Sequence, residues 1–187
     1  FEAPIPGHYH ANRRPGEPTH YGDAAMVLLR SVAETGRADP RDYGRRFVAL
    51  FAPETYDDYL DKPTRLTVQS FRDAGGAADG FSFQEGADDA QNVTTSRLAP
   101  VVVRHAADAD LDGIVERMTR VCQDNDDAVA HALVHAHVLR RLLDAVPGSR
   151  KWLVLSIILA FCASAASVAL MAVSAWLLAF AALLVPV

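Results

Sequence analysis

The sequence predicts an all-α protein in two parts, a helical domain followed by an apolar tail. Apolar residues recur at three- and four-residue spacing through much of residues 21–145, and no segment shows the two-residue alternation of a half-buried strand. The 36 residues 152–187 carry no charge, although the chain has 18 Lys and Arg and 23 Asp and Glu residues. Because about 20 apolar residues cross a bilayer, the sequence predicts a membrane segment rather than a uniform globule.

The part of the chain before the tail is acidic. Residues 1–149 hold 16 basic and 23 acidic side chains, a net charge of −7. Non-specific nucleic-acid binding needs a basic surface that displaces counterions, so nucleic acid is not an expected partner. About 150 residues suffice for one domain with its own core, and a second soluble domain is not expected.

The first segment is an extended loop in this interpretation. Residues 1–20 are rich in Pro and Gly and have no apolar periodicity. A helix is predicted from Asp23, where apolar residues begin to recur at helical spacing. Gly36 is placed to end that helix, because glycine adopts the left-handed conformation found after helix ends.

Two further helix starts share one signal, an Asp shortly before a Pro. Asp39 precedes Pro40, and Asp61 precedes Pro63. Asp accepts hydrogen bonds from the free N–H groups of a helix start, and Pro is favoured in the first turn. The apolar residues that follow predict the buried faces of the two helices: Tyr43, Phe47 and Phe51 in one, Val68 and Phe71 in the other.

The second half alternates loops and helices. Residues 73–90 are rich in Gly and Asp and predict a long loop, of a length that is often functional or disordered. A helix is predicted over residues 91–103, kinked or interrupted at Pro100. Residues 111–122 carry the clearest apolar stripe, and the polar residues 123–127 predict a turn and a cap for a last helix that ends near Ala145.

Three carboxylates are the first candidates for chemistry. Asp23 opens a helix, and Asp88 and Asp89, with Gln91 close by, lie where a loop leads into another helix. If the helix starts converge, these oxygens suit a hard cation such as Mg²⁺. Helix capping explains the same residues without a metal, and spacing alone favours capping.

Three histidines and a cysteine form a second candidate, a zinc site. His131 and His135 lie one helical turn apart, with His137 and Cys122 nearby in the sequence. The Glu that follows the first His of a metalloprotease helix is missing, and no third ligand can be assigned. The favoured interpretation is therefore a packed helix whose histidines hydrogen-bond to their neighbours.

Four blocks in order resemble the ADP-ribosylglycohydrolase superfamily. They are Tyr21-Gly22-Asp23, DYGRRFVALFAPETYDDYLDKPTRLTVQSF, EGADDAQNVTTSRLAPVVV and VERMTRVCQDNDDAVAHALVHAHVL. The resemblance covers residues 12–143 and looks closest to the branch that contains J1 crystallin. It implies an all-α fold and, in active members, two Mg²⁺ ions that help to hydrolyse the bond between ADP-ribose and an acceptor.

Site residues follow from this resemblance position by position. A Thr-Asp-Asp-Thr motif holds metal in active members, and here only Asp23 matches it, as a metal ligand. Asp88 and Asp89 match the family's central motif as catalytic carboxylates, with Gln91 and Arg97 as substrate-binding residues. The expected partner is ADP-ribose or an ADP-ribosylated protein.

The resemblance also predicts an incomplete site. The family's two terminal metal-site segments have no counterpart in residues 1–187. We therefore expect an incomplete or catalytically impaired domain that hydrolyses or binds ADP-ribose conjugates. The alternative, from a different class of function, is a non-enzymatic structural or binding module, as in the crystallin branch.

The apolar tail carries a separate resemblance. Its Ala-Val-Ser-Ala-Trp-Leu run at residues 172–177 is similar to the first membrane helix of thiol-exporting ABC transporters. Residues 150–187 are predicted to form a single membrane-spanning helix, and Arg150 and Lys151 place the domain of residues 21–146 in the cytoplasm. In the third interpretation, the chain is the N-terminal part of a subunit of such a transporter.

Overall fold

A computed structural model describes residues 9–10, 12–14, 16–76, 81–145, 155–156 and 158–159. Within these residues the secondary structure is helical and contains no strand, which confirms the all-α prediction. The helices are α1 (His20–Thr35), α2 (Pro40–Leu50), α3 (Lys62–Asp73), a 3₁₀ helix (Thr94–Arg97), α4 (Ala99–His105), α5 (Leu111–Arg120) and α6 (Asp126–Ala145).

The chain divides into two compact units, Phe1–Leu143 and Asp144–Val187. In the second unit, residues 155–156 and 158–159 are helical and exposed. The rest of the predicted membrane segment, residues 150–187, lies outside the described residues. Among the helices that the structure describes, none is both long enough and apolar enough to cross a membrane.

Capping residues begin and end the first three helices as the sequence predicts. Asp39 Oδ1 accepts hydrogen bonds from the N–H groups of Arg41 and Asp42 at 3.0 and 3.2 Å, so α2 begins after it. Asp61 Oδ1 accepts from Thr64 N–H at 2.9 Å at the start of α3. Gly36 ends α1 with a φ of 72°, where a β-carbon would be strained.

Two predicted helix boundaries are corrected by the structure. α1 begins at His20, three residues before the expected start, so Asp23 lies inside its first turn. Residues 91–93 are not helical, and Thr94–Arg97 form a 3₁₀ helix before α4. Pro100 does not kink a helix, because it lies in the first turn of α4, where its missing N–H interrupts no hydrogen bond.

The core of the first unit forms around α1 and α2. α1 packs against α2, the 3₁₀ helix and α4, while α2 also contacts α3 and α4 contacts α5. The predicted stripe Tyr43, Phe47 and Phe51 is fully buried, and its successive rings lie 5.7 and 4.8 Å apart in edge-on contact. Ring pairs of this kind add about 1 kcal/mol beyond area burial, so this stripe is a major element of the core.

The loop after α3 is anchored to the end of α5. Gly86 N–H donates to the Arg120 carbonyl at 3.0 Å, and Ala87 N–H donates to the Cys122 carbonyl at 3.1 Å. A β-carbon on Gly86 would lie 2.4 Å from the Cys122 carbonyl carbon, so the backbones approach this closely only because residue 86 is glycine. This anchor positions Asp88 and Asp89, which follow directly.

Candidate functional site

Asp23, the predicted metal ligand, is paired with a guanidinium of the same chain. Arg13 Nη2 donates to Asp23 Oδ2 at 2.9 Å, and the Tyr56 hydroxyl donates to the same oxygen at 2.9 Å. Arg13 Nε donates to Asp58 at 2.7 Å, and Arg13 also contacts the Tyr56 hydroxyl. Burial tends to raise the pKa of Asp58, but the hydrogen bond from Arg13 holds that pKa below its usual range. Asp23 and Asp58 therefore share one guanidinium as their cationic partner.

The adjacent carboxylates Asp88 and Asp89 contact different helices. Asp88 is exposed and accepts a hydrogen bond from Asn125 Nδ2 at 2.7 Å, beside the start of α6. Asp89 is buried and pairs with Lys62 Nζ, 2.8 Å away in the first turn of α3. The Lys62 hydrogen bond is the main reason that the pKa of Asp89 is lowered. These two residues, predicted together as catalytic carboxylates, thus have different partners.

Of the two predicted substrate-binding residues, Gln91 is exposed and Arg97 is buried. The Gln91 backbone N–H donates to Asp89 Oδ1 at 2.9 Å. Arg97 is only 3% exposed. Its Nη1 donates to the Tyr43 hydroxyl at 3.2 Å, and its guanidinium carbon lies 5.3 Å from the centre of the Phe47 ring. Arg97 therefore carries a buried charge in the core.

Asp61 is the negative group that offsets this buried charge. Burial opposes the charge of Arg97, but nearby Cys122, Tyr43 and Asp61 raise its pKa. Burial also raises the pKa values of Tyr43 and Cys122 above their ordinary range, so both are neutral at pH 7. Asp61 is 3% exposed, and burial tends to raise its pKa, but the contact with His20 and the hydrogen bonding from Thr64 outweigh burial and lower that pKa to about 2. Asp61 is consequently ionised at neutral pH.

Several polar atoms around Asp61 have no hydrogen-bond partner within the described residues. They are both ring nitrogens of His20, Asp61 Oδ2 and Arg97 Nε. His20 Nε2 lies 3.4 Å from Asp61 Oδ2, an electrostatic contact that satisfies neither atom as a hydrogen bond. Two of the four atoms thus face each other, and the other two are His20 Nδ1 and Arg97 Nε. We call His20, Asp61, Asp89 and Arg97 the polar centre.

The sequence gives one signal for Asp61, which is its place before a Pro. That signal predicts the helix cap correctly, and one carboxylate oxygen does cap α3. The second oxygen faces His20, which lies at the start of α1. Spacing along the chain does not reveal this contact, so Asp61 and His20 were not predicted as site residues.

Gln123 is a second residue that the sequence pattern does not reveal. It was expected in a polar turn, but it is fully buried. Its Oε1 accepts hydrogen bonds from the N–H and hydroxyl groups of Thr94 at 3.1 and 2.6 Å. Its Nε2 donates to the Asp89 carbonyl at 2.9 Å and also contacts the Gln91 carbonyl. Gln123 therefore holds residues 89–94 in place beside the polar centre.

The histidines of the zinc interpretation do not converge. His131 is exposed, and His137 Nε2 lies 3.2 Å from Asp112 Oδ1 on α5. Cys122 is buried, with its Sγ 3.8 Å from the Tyr43 hydroxyl. No group of three or more His, Cys, Asp or Glu residues in the described part of the chain is arranged to hold a metal ion.

A comparison with protein-family models decides the family. The model of the ADP-ribosylglycohydrolase family matches residues 2–184. The chain belongs to the ADP-ribosylglycohydrolase family. The match extends the resemblance beyond residues 12–143 and covers most of the apolar tail. A search of curated proteins and a search of solved structures gave no match. The narrower resemblances, to the J1 crystallin branch and to a transporter helix, stay predictions.

Two Mg²⁺ ions, which active members of the ADP-ribosylglycohydrolase family use, do not fit the residues that the structure describes. Asp23 is held by Arg13, and Asp89 is held by Lys62, so each carboxylate already has a cation as partner. A two-metal centre needs several oxygen ligands that converge on the ions. The described residues contain no group of three or more acidic, His or Cys side chains placed to do this. Asp23 as a metal ligand therefore stays a prediction from the resemblance.

Proposed function

We propose that the chain binds the ADP-ribose part of ADP-ribose conjugates at the polar centre, without requiring Mg²⁺ for binding. The observation that carries this proposal is the group of buried polar atoms without a hydrogen bond on His20, Asp61 and Arg97, two of which form the 3.4 Å contact between His20 Nε2 and Asp61 Oδ2. Membership of the ADP-ribosylglycohydrolase family supplies the substrate class.

The residues around the polar centre suit the groups that ADP-ribose presents. Carboxylates such as Asp61 and Asp89 accept hydrogen bonds from ribose hydroxyls. Lys62 pairs with Asp89, and because its side chain is 58% exposed its ammonium group can also contact a diphosphate. Tyr21 is 38% exposed, and burial together with the nearby charge of Asp61 raises the pKa of its hydroxyl.

The same electrostatics favour binding over hydrolysis. A general base works best when its pKa lies near the working pH. The pKa of Asp61 is about 2, and Lys62 lowers the pKa of Asp89. Both carboxylates are therefore weak bases that accept hydrogen bonds well but remove a proton from water poorly.

Calorimetric titration with ADP-ribose tests the proposal. We expect binding to the wild-type chain that is equal in Mg²⁺ and in EDTA, and about 10-fold weaker in Asp61→Asn, because a charge-assisted hydrogen bond is lost. Asp124→Asn, at an exposed residue beside α6, is the control and should bind normally. A folded wild-type chain that binds no ADP-ribose contradicts the proposal.

A turnover assay tests hydrolysis separately. The chain is incubated with an ADP-ribosylated protein and Mg²⁺, and release of ADP-ribose is measured. We expect no turnover. Turnover that disappears in Asp23→Ala and in EDTA would instead establish metal-dependent hydrolysis with Asp23 as a ligand, and loss of that turnover in Asp88→Asn or Asp89→Asn would identify the catalytic carboxylate.

A structural module like that of the crystallin branch is the second candidate function. It is favoured by the pairing of Asp23 with Arg13 and of Asp89 with Lys62, since such pairs hold a domain together without a ligand. Under this alternative, ADP-ribose leaves the melting temperature unchanged. A rise in melting temperature with ADP-ribose, absent in Asp61→Asn, excludes a purely structural role.

We further propose that residues 150–187 tether the chain to a membrane as a single span with the domain on the cytoplasmic side. Support comes from the 36 uncharged residues that follow Arg150 and Lys151. Carbonate washing of membranes tests the anchor, and release of the chain into the wash would contradict it. Protease treatment of intact cells tests the orientation, and digestion of the domain from outside would contradict a cytoplasmic domain.

A further inference from the structure

A cavity of about 370 Å³ opens between the second half of α2 and the second half of α3. α2 contributes Arg45, Val48 and Ala49 to its lining, and α3 contributes Val68 and Phe71. None of the lining residues belongs to the polar centre. A cavity of about 150 Å³ holds a benzene molecule, so this one has room for a ring and a short chain. We call it the apolar cleft.

The apolar walls of the cleft are held from behind by the core. Val48 and Val68 are buried. The half-buried Phe71 ring stacks on Phe83 at 5.8 Å and meets Phe81 edge-on at 5.3 Å. Walls that are already ordered lose little conformational freedom when a ligand binds. The cleft therefore suits an apolar ligand body, as small-molecule sites in proteins generally do.

The charges of the cleft are unequal. Two arginines and one glutamate line it, a net charge of +1 in a chain whose net charge is −5. Arg72 Nη1 pairs with Glu54 Oε1 at 2.7 Å. Among the residues that the structure describes, the exposed Arg45 side chain has no ion-pair or hydrogen-bond partner, whereas the next arginine, Arg46, pairs with two carboxylates. Arg45 is thus an uncompensated cation beside an apolar surface.

We propose that the apolar cleft binds a small carboxylic acid with an apolar body, such as an aryl-alkyl carboxylate. The body displaces water from Val48, Val68 and Phe71, which favours binding through the hydrophobic effect. The carboxylate pairs with the guanidinium of Arg45, whose planar donors match its two oxygens. This inference is independent of the proposed function, because the cleft shares no residue with the polar centre.

Calorimetric titration of the full chain with three probes tests the inference. Phenylbutyrate has both the ring and the carboxylate, phenylbutanol lacks the charge, and butyrate lacks the ring. We expect phenylbutyrate to bind at least 10-fold more tightly than either of the other two, because the charge-assisted hydrogen bond and the burial of the ring each add to its affinity. Equal affinities for the acid and the alcohol would overturn the inference.

Substitutions at Arg45 test the anionic end of the ligand. Arg45→Met removes the charge and keeps an apolar side chain, so it should weaken phenylbutyrate binding by about 10-fold and leave phenylbutanol binding unchanged. Arg45→Lys keeps a charge and should lose less affinity than Arg45→Met. Arg41→Met is the matched control, because Arg41 is an exposed arginine of α2 that does not line the cleft.

A substitution at Ala49 tests the apolar end. Ala49 is exposed and lines the cleft, so the larger side chain of Ala49→Phe fills the cavity without entering the core. We expect both phenyl probes to bind at least 10-fold more weakly. Ala130→Phe, at an exposed residue of α6, is the control and should bind normally. Circular dichroism checks that each variant folds, and wild-type affinity in a folded Ala49→Phe chain contradicts the inference.

Two other results are also decisive. Binding of the phenyl ring to residues 152–187 is the same in every variant, so identical affinities throughout the series place the ligand on the tail and overturn the inference. Sedimentation velocity without a probe tests whether a second copy of the chain covers the cleft. A dimer that becomes a monomer in Ala49→Phe would establish that occupant instead. None of these results depends on whether the polar centre binds ADP-ribose.

Discussion

Arg97 and Arg120 are held in opposite ways within the same chain. Arg120 lies at the surface with carboxylates of Glu116, Asp124 and Asp126 within 2.9 Å, beside an acidic cavity of about 350 Å³. Arg97 is buried, and its direct contacts are a phenol hydroxyl and an aromatic ring. The arginine with more ion pairs is therefore the one that water already solvates.

This contrast shows why the number of ion pairs does not measure their importance. Each exposed pair of Arg120 gains a few tenths of a kcal/mol and is screened by salt. Removing the water around Arg97 costs far more, so its few neighbours and the charge of Asp61 decide whether the site is stable. The polar centre is thus expected to respond strongly to substitution, and the surface cluster weakly.

The largest effect is expected for Arg97→Met. This change leaves the buried Asp61 without its offsetting charge, so we expect a loss of about 3 kcal/mol in the free energy of unfolding. Urea denaturation measures it. Arg120→Met is the matched control, and equal losses in the two variants would show that burial does not make Arg97 more important for stability than Arg120.

The second largest effect is expected for Gln123→Ala, a loss of about 2–3 kcal/mol in the free energy of unfolding. The substitution leaves the Thr94 N–H and hydroxyl groups and the Asp89 carbonyl without their buried partner. Gln69→Ala is the control, because Gln69 makes an exposed hydrogen bond to Asp73 at 2.7 Å. Urea denaturation of both variants should separate them, and a Gln69 effect as large as that of Gln123 contradicts the assignment.

Acid should remove the contribution of the Asp61 charge to the stability of the fold. Its pKa in the folded chain is about 2, against an ordinary 3.8. A lowered folded-state pKa means that the stabilisation is complete above pH 3.8 and is lost as the pH falls toward 2, by about 2 kcal/mol. Asp61→Asn keeps a capping side chain, and its unfolding free energy should depend less on pH between 4 and 2. Identical pH profiles for both chains would count against the buried carboxylate.

The smallest effect is expected for Arg120→Gln. We expect a loss below about 1 kcal/mol at low ionic strength, because all three partners are exposed. The difference from the wild type should disappear at 1 M salt, where the screening length is about 3 Å. Thermal unfolding at the two salt concentrations measures it, and a loss that persists at high salt indicates a buried role for Arg120.

Local rules predict much of the fold because their interactions stay within one helical turn. Asp39 and Asp61 cap α2 and α3, Gly36 ends α1, and Tyr43 and Phe47 form the buried stripe of α2. The boundary at residues 91–98 was mispredicted for a tertiary reason. Buried Gln123 accepts the Thr94 N–H and contacts the carbonyls of Asp89 and Gln91, and these contacts compete with a regular helix there.

The site was predicted less well than the fold because its contacts join distant positions. Asp88 and Asp89 are neighbours in the chain, yet one meets Asn125 and the other Lys62. Nothing in their spacing distinguishes them. Arg97 was selected by resemblance as a substrate-binding residue, and only the packing of α1, α2 and the 3₁₀ helix places it in the core.

Caps, turns and apolar periodicity act over a few residues, so the sequence alone predicted the helical class, the starts of α2 and α3, the end of α1 and the family resemblance. Tertiary structure alone decided which carboxylate meets which cation. The Arg13–Asp58 ion pair, for example, spans 45 residues. Charge compensation and burial depend on such distant neighbours, and they determine that Asp61, rather than Asp23 or Asp88, lies at the polar centre.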